Sequence, residues 1–353
     1  MERNIDFCVG AQLGDEGKGM VAKLLADQAT AKGEPYRWTG RVGAQNAEHR
    51  FIHQACEFCA RVLPSAACYR PDILAVLGAG HCFMPDHLIR EATHLGLPLA
   101  RIIVDPHAMW LKPEHAHANL QIGTERGTTG WGVGAAIAEK VRRRPGTQLI
   151  GDCEELRGAL GKNMRSVPEF IAETPGPGLM EGSQGALLSL DHGHYPYCTA
   201  KNATVPAIAG EMGFDHRRIR RVVGVFRTVF MRVPGPSGPS TGRELSFDEV
   251  EARTNLRLPH HRRLQGDMTR RDEERLFDFS LEELYKSHLL NGFDALVCTF
   301  ADFHRKGNYR VTRWAELHPD TRALVEQVER VLQVPVVLVR TGPGEHDNIW
   351  RET

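Results

Sequence analysis

The stretch that decides the fold is residues 5–25, IDFCVGAQLGDEGKGMVAKLL. It begins with a short β-prone run, IDFCV. Its last part spaces four apolar residues as on one face of a helix: Met20, Val21, Leu24 and Leu25. The loop between them contains four glycines and a lysine: Gly10, Gly14, Gly17, Gly19 and Lys18. Because the N–H groups of such a loop can surround a phosphate, the stretch predicts a strand, a polyphosphate-binding loop and a helix.

Two acidic residues in this loop, Asp15 and Glu16, conflict with simple phosphate binding, because a carboxylate repels a bare phosphate. They are explained if Mg²⁺ lies between a carboxylate and the phosphates, or if Asp15 is a general base. Both roles are typical of phosphoryl transfer. The loop is not a Walker A motif, because Gln12 stands where the first glycine is required and Gly19 where serine or threonine is required.

Strand-like and helix-like runs alternate along the rest of the chain. The strand-like runs include ILAVLGAG (73–80), RRVVGVFRTVF (220–230), FDALVCTFAD (293–302) and PVVLVRTGP (335–343). The helix-like runs include MPDHLIREATHLG (84–96) and TRALVEQVERVLQV (321–334). This alternation favours an α/β fold with a large central, mostly parallel β-sheet flanked by helices.

Two stretches interrupt the alternation. Residues 232–244 are rich in Pro, Gly and Ser, and residues 260–275 are densely charged. They are either solvated connectors or mobile loops that close over a polar substrate. We expect a single domain over residues 1–353, with mobile active-site loops near residues 40–50, 120–130, 232–244 and 260–275.

Composition and charge exclude several classes of partner. The 353 residues carry 44 Lys and Arg against 44 Asp and Glu, so no overall charge attracts nucleic acid or an anionic membrane. The N-terminus does not resemble a secretion signal, and there is no apolar run of about 18 residues. The eight cysteines are spread through the chain, unlike a secreted disulfide framework. We therefore expect a cytoplasmic protein with no nucleic-acid partner and no membrane partner.

Two other site types are considered. Cys56 and Cys59 have the C-x₂-C spacing of a zinc hook, and His53, Cys68, His81 and Cys82 are near in sequence. Structural zinc normally needs a second such hook, which the chain lacks, so both cysteines are more simply strand residues.

Residues 260–275 are a poor RNA-binding segment, because acidic residues offset the arginines and no aromatic residue is interleaved. A catalytically inactive nucleotide-binding protein is a better alternative to an enzyme.

Several blocks resemble the adenylosuccinate synthetases, which join L-aspartate to IMP using GTP. They are GAQLGDEGKG (10–19), QNAEHR (45–50), GTTGWGVGAAIAEKVRRR (127–144), EGSQGALLSLDHGHYPYCT (181–199) and RTGP (340–343). They occur in the family's order over nearly the whole chain. The resemblance implies an adenylosuccinate synthetase-like fold, related to the P-loop NTPases, and a C–N ligase activity.

The resemblance also implies catalytic roles. Asp15 would take the N1 proton of a 6-oxopurine, so that O6 attacks the γ-phosphate of a nucleoside triphosphate. His49 would stabilise or protonate the transferring phosphoryl group, and Lys18 would lie near the triphosphate. The amino group of L-aspartate would then displace phosphate at C6. Mg²⁺ would bind Asp15, the phosphates and the main-chain carbonyl of Glu48.

The same resemblance implies three sets of ligand-binding residues. Those for the purine monophosphate are Asp15, Asn46, Thr129, Arg143, Gln184 and Thr199, with Arg143 supplied by the second subunit of a homodimer. Those for GTP are Gly14, Glu16, Gly17, Lys18, Gly19, Asp302, Gly342 and Pro343, with Asp302 accepting from the guanine N1–H and N2–H₂. Those for L-aspartate are Val233, Thr269, Arg270, Arg271 and Arg275.

Two altered blocks, PGPSGPSTGRE (234–244) and TRRDEER (269–275), look more like the bacteriophage branch of the family. That branch makes 2-aminoadenylosuccinate from dGMP on the way to diaminopurine, and would act in the host cytoplasm. Its members have Ser for the loop Asp and Asn for the donor-site Asp, which fits ATP. The phage-like blocks favour dGMP or GMP as acceptor, which the retained Asp15 does not exclude, and the retained Asp302 favours an archaeal-type GTP pocket. The alternatives are IMP with GTP, and ATP as donor.

Overall fold

The computed structural model describes residues 2–118, 129–257 and 274–351. Its strands, numbered in chain order, are β1 (Ile5–Gly10), β2 (Trp38–Ala44), β3 (His49–His53), β4 (Cys56–Ala60), β5 (Leu74–Phe83), β6 (Ile102–Val104), β7 (Met109–Trp110), β8 (Gly178–Gly185), β9 (Ile219–Arg227), β10 (Val229–Arg232), β11 (Glu244–Leu245), β12 (Arg275–Asp278), β13 (Ala295–Thr299), β14 (Val336–Arg340) and β15 (Asn348–Trp350). Its α-helices are α1 (Lys18–Ala31), α2 (Ser65–Tyr69), α3 (Pro85–His94), α4 (Pro113–Ala118), α5 (Val133–Arg142), α6 (Glu154–Leu160), α7 (Val167–Glu173), α8 (Val205–Met212), α9 (Phe247–Thr254), α10 (Leu281–Asn291) and α11 (Pro319–Leu332).

The centre of the molecule is a ten-stranded sheet in the order β15-β14-β13-β9-β1-β8-β2-β5-β6, with β7 paired to β5. Neighbouring strands in it are parallel, except for β14 and β15. Two small antiparallel units lie outside it: the sheet β10-β12-β11 and the hairpin β3-β4. The predicted α/β fold with a large, mostly parallel central sheet is confirmed.

Helices cover both faces of the sheet, so every residue of β1 is buried. Ile5, Phe7 and Val9 join the apolar layer beneath α7, α8, α10 and α11, whereas Cys8 joins the layer beneath α1, α2 and α3. This alternation is the two-residue period of a strand. Burial on both faces is typical of parallel sheets, and it explains why the strand-like runs of the sequence are so apolar.

The carboxyl ends of the parallel strands meet at one edge of the sheet. Strand β1 ends at Gly10, β8 at Gly185 and β13 at Thr299. In open α/β sheets ligands bind at this edge, in the loops that follow the strands. Most of the predicted site residues lie in these loops, so the topology gathers them from distant parts of the chain.

Most predicted elements are confirmed, with small shifts at their ends. The run at 220–230 is an exception, because a strand-like run there becomes two strands, β9 and β10. The division falls at Thr228, whose backbone N–H donates to the Thr299 carbonyl at 3.2 Å. Beyond this point β10 leaves the central sheet and pairs with β12.

The interrupting stretches are only partly described. Residues 233–243 contain neither helix nor strand, in agreement with the loop predicted at 232–244. Residues 258–273, most of the loop predicted at 260–275, lie outside the described residues. None of the described helices combines the length and the apolar character needed to cross a bilayer.

Candidate active site

Glu16 organises the predicted phosphate loop from inside. Its carboxylate is buried and accepts from the backbone N–H groups of Gln12 at 3.1 Å and Gly14 at 2.9 Å. It also accepts from the Lys18 ammonium at 2.7 Å. A Cβ at Gly10 would lie 2.5 Å from this carboxylate, so only glycine fits there. The Glu16 side chain therefore faces the loop interior, and a contact with GTP would have to come from its main chain.

Asp15 adjoins these internal contacts, with its backbone in the left-handed region at φ 57°. Its carbonyl accepts from Arg227 Nη1 at 2.9 Å. Arg227 is buried, and its guanidinium lies 3.9 Å from the centroid of the Phe300 ring. Thr299 Oγ1 donates to the Glu16 carbonyl at 2.9 Å. The loop is thus attached to the ends of β9 and β13, so its conformation is determined without a ligand.

His49 forms a buried pair with Glu181. Its Nδ1 contacts a Glu181 carboxylate oxygen, and the same carboxylate accepts from the Ser65 N–H and hydroxyl, both at 2.6 Å. The other ring nitrogen, Nε2, is buried and has no hydrogen-bond partner among the described residues. A buried nitrogen of this kind is rare in a finished core and points to a missing ligand.

His49 also lies directly against the phosphate loop. A Cβ at Gly19 would be 3.0 Å from the His49 Cβ and 2.9 Å from the Arg50 carbonyl oxygen. Gly19 therefore permits the start of β3 to pack on the start of α1. This packing places the predicted catalytic residues Lys18 and His49 side by side.

Arg41 lies close enough to the His49–Glu181 pair for its charge to act on both residues. Its buried guanidinium donates to the carbonyls of Ala47 at 2.8 Å and Leu63 at 3.0 Å, and to Ser183 Oγ at 3.2 Å. It thereby joins the loop after β2 to the segment before α2 and to β8. Its positive charge also stabilises the Glu181 carboxylate.

The pKa values in this region follow from burial and charge. Burial, together with the nearby Arg41, lowers the pKa of His49 to about 4, although Glu181 opposes the shift. His49 is therefore neutral at pH 7 in the protein alone. Burial raises the pKa of Glu181, but the charges and hydrogen bonds of His49, Arg41 and Ser65 outweigh it, so this pKa is lower than usual.

Glu48 is one of the two predicted Mg²⁺ ligands, and its carboxylate already has partners in the protein. The Glu48 carboxylate contacts the guanidinium groups of Arg50 and Arg61, which lower its pKa against the opposing effect of burial. The carboxylate is thus engaged by the protein, so a Mg²⁺ ligand from this residue would have to be its main-chain carbonyl. No three His, Cys, Asp or Glu side chains among the described residues form a ready-made metal cage. Mg²⁺ does not need one, because it usually takes one or two carboxylates, phosphate oxygens and water.

A pocket at the ends of β2 and β8 collects predicted ligands of the purine monophosphate. Asn46, Gln184 and Thr199 all line it. Thr129 is at its border, since Asn46 Nδ2 donates to Thr129 Oγ1 at 3.3 Å. Arg143 is exposed just after α5, whose first residue, Val133, lines the pocket. A helix of this length spans about 15 Å, so Arg143 is remote from the pocket of its own chain.

The predicted guanine-binding residues meet around Arg340. Asp302 is buried in the short turn Ala301–Phe303 after β13, close enough to Arg340 for their charges to interact. Arg340 Nη2 donates to the Gly342 carbonyl at 2.9 Å, next to the exposed Pro343. Burial raises the pKa of Asp302 to about 6, against the opposing charges of Arg227 and Arg340.

The predicted L-aspartate site is the least complete. Thr269, Arg270 and Arg271 lie outside the described residues. Val233 is half-buried at the end of β10. Arg275 forms a two-pronged ion pair with Glu244, at 2.7 and 2.6 Å, and donates to the Gly238 carbonyl at 2.6 Å. Its guanidinium is therefore occupied by the protein.

Sequence reasoning missed three charged residues of this site: Glu181, Arg41 and Arg227. Each lies on a strand of the central sheet among apolar neighbours. That placement is the signal that could have found them, because a charged side chain on a strand buried on both faces needs a partner. Which partner it has depends on residues far away in the chain.

The cysteines give no support to a zinc site. Cys56 and Cys59 are exposed on the outer hairpin strand β4, whereas Cys68 and Cys82 are buried on other elements. None of the eight cysteines forms a disulfide.

Comparison with known proteins gives a consistent result. A family model described as adenylosuccinate synthetase matches residues 7–168 and 147–309. The adenylosuccinate synthetase of Methanocaldococcus jannaschii is 32% identical over 347 residues, which cover 97% of this chain and 95% of the relative. That of Archaeoglobus fulgidus is 32% identical over 338 residues, 95% and 94% of the two chains.

Two solved structures are similar over nearly their full length. One is the succinoaminodeoxyadenylate synthetase PurZ of cyanophage S-2L, bound to dGMP and to dATP as an energy donor. It is 25% identical with a TM-score of 0.80, covering 100% of this chain and 97% of that one. The other is a fully ligated adenylosuccinate synthetase from Plasmodium falciparum, 19% identical with a TM-score of 0.81, covering 99% and 100%. The latter match concerns the fold alone.

Proposed function

Because the chain belongs to the adenylosuccinate synthetase family of C–N ligases, we propose that it joins L-aspartate to C6 of a purine nucleoside monophosphate. The favoured acceptor is dGMP or GMP, and the favoured phosphate donor is GTP. The observation that carries this proposal is the unpartnered Nε2 of His49, buried beside the phosphate loop at Gly19.

In the first step, Asp15 takes the N1 proton of the purine while O6 attacks the γ-phosphorus, and GDP leaves. The neutral His49 gains a proton as the triphosphate's negative charge approaches, because a nearby anion raises the pKa of an imidazole. With Nδ1 held by Glu181, Nε2–H then donates to the transferring phosphoryl group. In the second step, the amino group of L-aspartate attacks C6, the C6–O bond breaks so that inorganic phosphate leaves, and the new C6 nitrogen loses a proton to solvent.

The donor set around the phosphate loop fits Mg²⁺, since its oxygens come from the Asp15 carboxylate and the Glu48 carbonyl. When bound, the ion would neutralise charge on the phosphates. Asp15 and the loop before β3 would hold it, and the contacts of Arg227 to Asp15 and Arg41 to Ala47 fix their backbone in place.

Asp302 supports GTP as the donor. A buried carboxylate can accept from N1–H and N2–H₂ of guanine together, whereas adenine offers no such pair. The cyanophage relative was solved with dATP as energy donor, so ATP is the alternative that this carboxylate argues against.

Asp15 and the cyanophage relative both favour a guanine base on the acceptor nucleotide. The cyanophage relative was solved with dGMP, whereas the archaeal relatives are named adenylosuccinate synthetases, for which IMP is the acceptor. A guanine base presents N1–H and a 2-amino group, and one carboxylate can accept from both. IMP has no 2-amino group, so it would offer this carboxylate only the N1–H donor.

A homodimer completes the proposed site. Arg143 is exposed and remote from its own pocket, so it would contact the monophosphate bound in the other subunit. Mixing an Arg143→Ala chain with an inactive Asp15→Ala chain would then restore part of the activity, because one site of the mixed dimer has both residues intact.

The experiment that tests the function measures phosphate release and nucleotide products with Mg²⁺, GTP and L-aspartate, offering IMP, GMP and dGMP in parallel. We expect turnover with dGMP and little with IMP. Turnover with IMP alone would replace the favoured acceptor by the alternative. Nucleotide binding without turnover on any acceptor would reduce the protein to an inactive member of the family.

A further inference from the structure

One cation of the purine pocket has no role in the predictions above. Lys201 lies two residues after Thr199 and lines the same pocket. Its backbone carbonyl accepts from the Leu190 N–H at 3.1 Å, while the Thr199 N–H donates to the Leu188 carbonyl at 2.8 Å. Lys201 and Thr199 are thus held by the same folded loop, so their side chains keep a fixed relation to the pocket.

The ammonium of Lys201 is held at a built position. It donates to Glu211 Oε2 at 2.5 Å and to the Gly80 carbonyl. A Cβ at Gly80 would lie 2.4 Å from the Glu211 Cβ, so glycine is required for this arrangement. An ammonium has three N–H donors, and these two partners leave one for a ligand.

A second part of the pocket wall also suits an anion. Val133, the first residue of α5, lines it, and no acidic residue or side-chain cap occupies the first turn of that ten-residue helix. The first N–H groups of a helix favour negative charge. Asn46 and Thr199 add neutral hydrogen-bonding groups. An ammonium, a helix start and two polar side chains around one pocket are the donors that a phosphate monoester needs.

Glu211 explains how the cation is kept in the empty pocket. It is mostly buried, and burial raises its pKa in spite of the charges of Lys201 and Lys140. Its contact with the Lys201 ammonium at 2.5 Å keeps that ammonium at the wall of the pocket when no nucleotide is bound.

We propose that Lys201 binds the 5′-phosphate of the purine nucleotide, and that Glu211 holds its ammonium in place until the nucleotide arrives. This inference rests on the proposed function, because it takes the purine monophosphate to be the occupant of this pocket.

The test compares Lys201→Gln, Glu211→Gln and a control, Lys140→Gln. Lys140 lies near Lys201 but donates to the carbonyls of Ala79 and His107 and does not line the pocket. Steady-state kinetics are measured with the purine monophosphate that the wild type uses. We expect Lys201→Gln to raise its KM about tenfold to a hundredfold, with the KM for GTP unchanged, because a charge-assisted hydrogen bond is lost.

The other two variants separate binding from structure. Glu211→Gln keeps the ammonium, so the KM for the monophosphate should stay the same or fall, and Lys140→Gln should leave it unchanged. Equal increases in KM for Lys201→Gln and Glu211→Gln would mean that the ion pair is only structural, and would overturn the proposal.

Equilibrium binding of the matching nucleoside gives a second readout. Lys201→Gln should leave nucleoside affinity unaltered, and an equal loss for nucleoside and monophosphate would also overturn the proposal. Failure of the proposed function is distinguishable: if the wild type bound a purine monophosphate without turnover, the proposed function alone would fall and the binding comparison would still test Lys201, whereas a wild type that bound none of IMP, GMP and dGMP would overturn both proposals. A normal wild type with an unaffected Lys201→Gln would remove Lys201 alone.

Discussion

Glu181 lies within the parallel strand β8 and Asp302 just after the parallel strand β13, and both are buried carboxylates, yet their surroundings shift their pKa values in opposite directions. Glu181 is surrounded by His49, Arg41 and Ser65, and its pKa is lower than usual although burial opposes this. Asp302 has more distant cations, and burial raises its pKa to about 6. A carboxylate satisfied by the protein can hold other groups in place, whereas one that is costly to bury is available to a ligand.

The largest expected effect concerns Asp15, which, like Asp302, is a carboxylate proposed to contact a ligand. Replacing it in Asp15→Ala should lower kcat about a hundredfold to ten-thousandfold, because the general base is lost. The melting temperature should change little, since the contacts that fix this loop use the Asp15 carbonyl and Glu16. Single-turnover phosphate release measures the effect. Substantial residual activity would remove Asp15 from the base role.

The second prediction tests Glu181, the carboxylate whose hydrogen-bond partners are supplied by the protein. Glu181→Gln should lower kcat about a hundredfold, because His49 loses the negative charge beside Nδ1 that favours its protonated form. It should also lower the melting temperature, since Arg41 and His49 lose a buried anionic partner. The KM for the purine monophosphate should change little. If kcat stays normal while stability falls, Glu181 is a structural residue only and the contrast with Asp302 loses its functional meaning.

The third prediction concerns Asp302, the carboxylate whose burial disfavours its charged form. Asp302→Asn should lower the kcat/KM preference for GTP over ATP about tenfold to a hundredfold, because an amide no longer accepts from both guanine donors. The ratio is obtained by measuring both donors with the same acceptor. An unchanged ratio would show that another residue reads the donor base.

The same substitution has a stability effect of defined sign. A carboxyl whose pKa is raised from 3.8 to about 6 in the folded state stabilises the fold below about pH 4, and this contribution is lost as pH rises through 6. At pH 8 the buried charge therefore costs about 3 kcal/mol, which Asp302→Asn removes. The nucleotide-free variant should melt higher than the wild type at pH 8, with a much smaller difference at pH 4. A variant that melts lower at pH 8 would contradict the cost assigned to Asp302.

The sequence predicts the fold well because its signals are local. The strand, loop and helix at residues 5–25 and the apolar runs of the sheet follow from spacing alone, and the resemblance brings Asn46, Gln184 and Thr199 to one pocket before the structure is known. The family assignment is confirmed by relatives matched over nearly the whole chain.

What sequence could not reveal is the pairing of buried charges. Glu181 contacts His49 across 132 positions of chain, a relation that no period or spacing carries. Within the loop, Asp15 and Glu16 are adjacent acids with similar propensities, and only the folded backbone shows that Glu16 turns inward. For the same reason the sequence assigned Arg275 to a ligand, although Glu244 on the neighbouring strand β11 forms an ion pair with it.

The position of β1 has a consequence for biosynthesis. It is synthesised well before its two neighbours in the sheet, β8 and β9, which begin only at Gly178 and Ile219. A nascent chain therefore carries a mostly apolar strand with both hydrogen-bonding edges open while much of the protein is still being synthesised. Such a strand can pair with other chains, so aggregation during synthesis is its main hazard and early shielding by a chaperone its natural remedy.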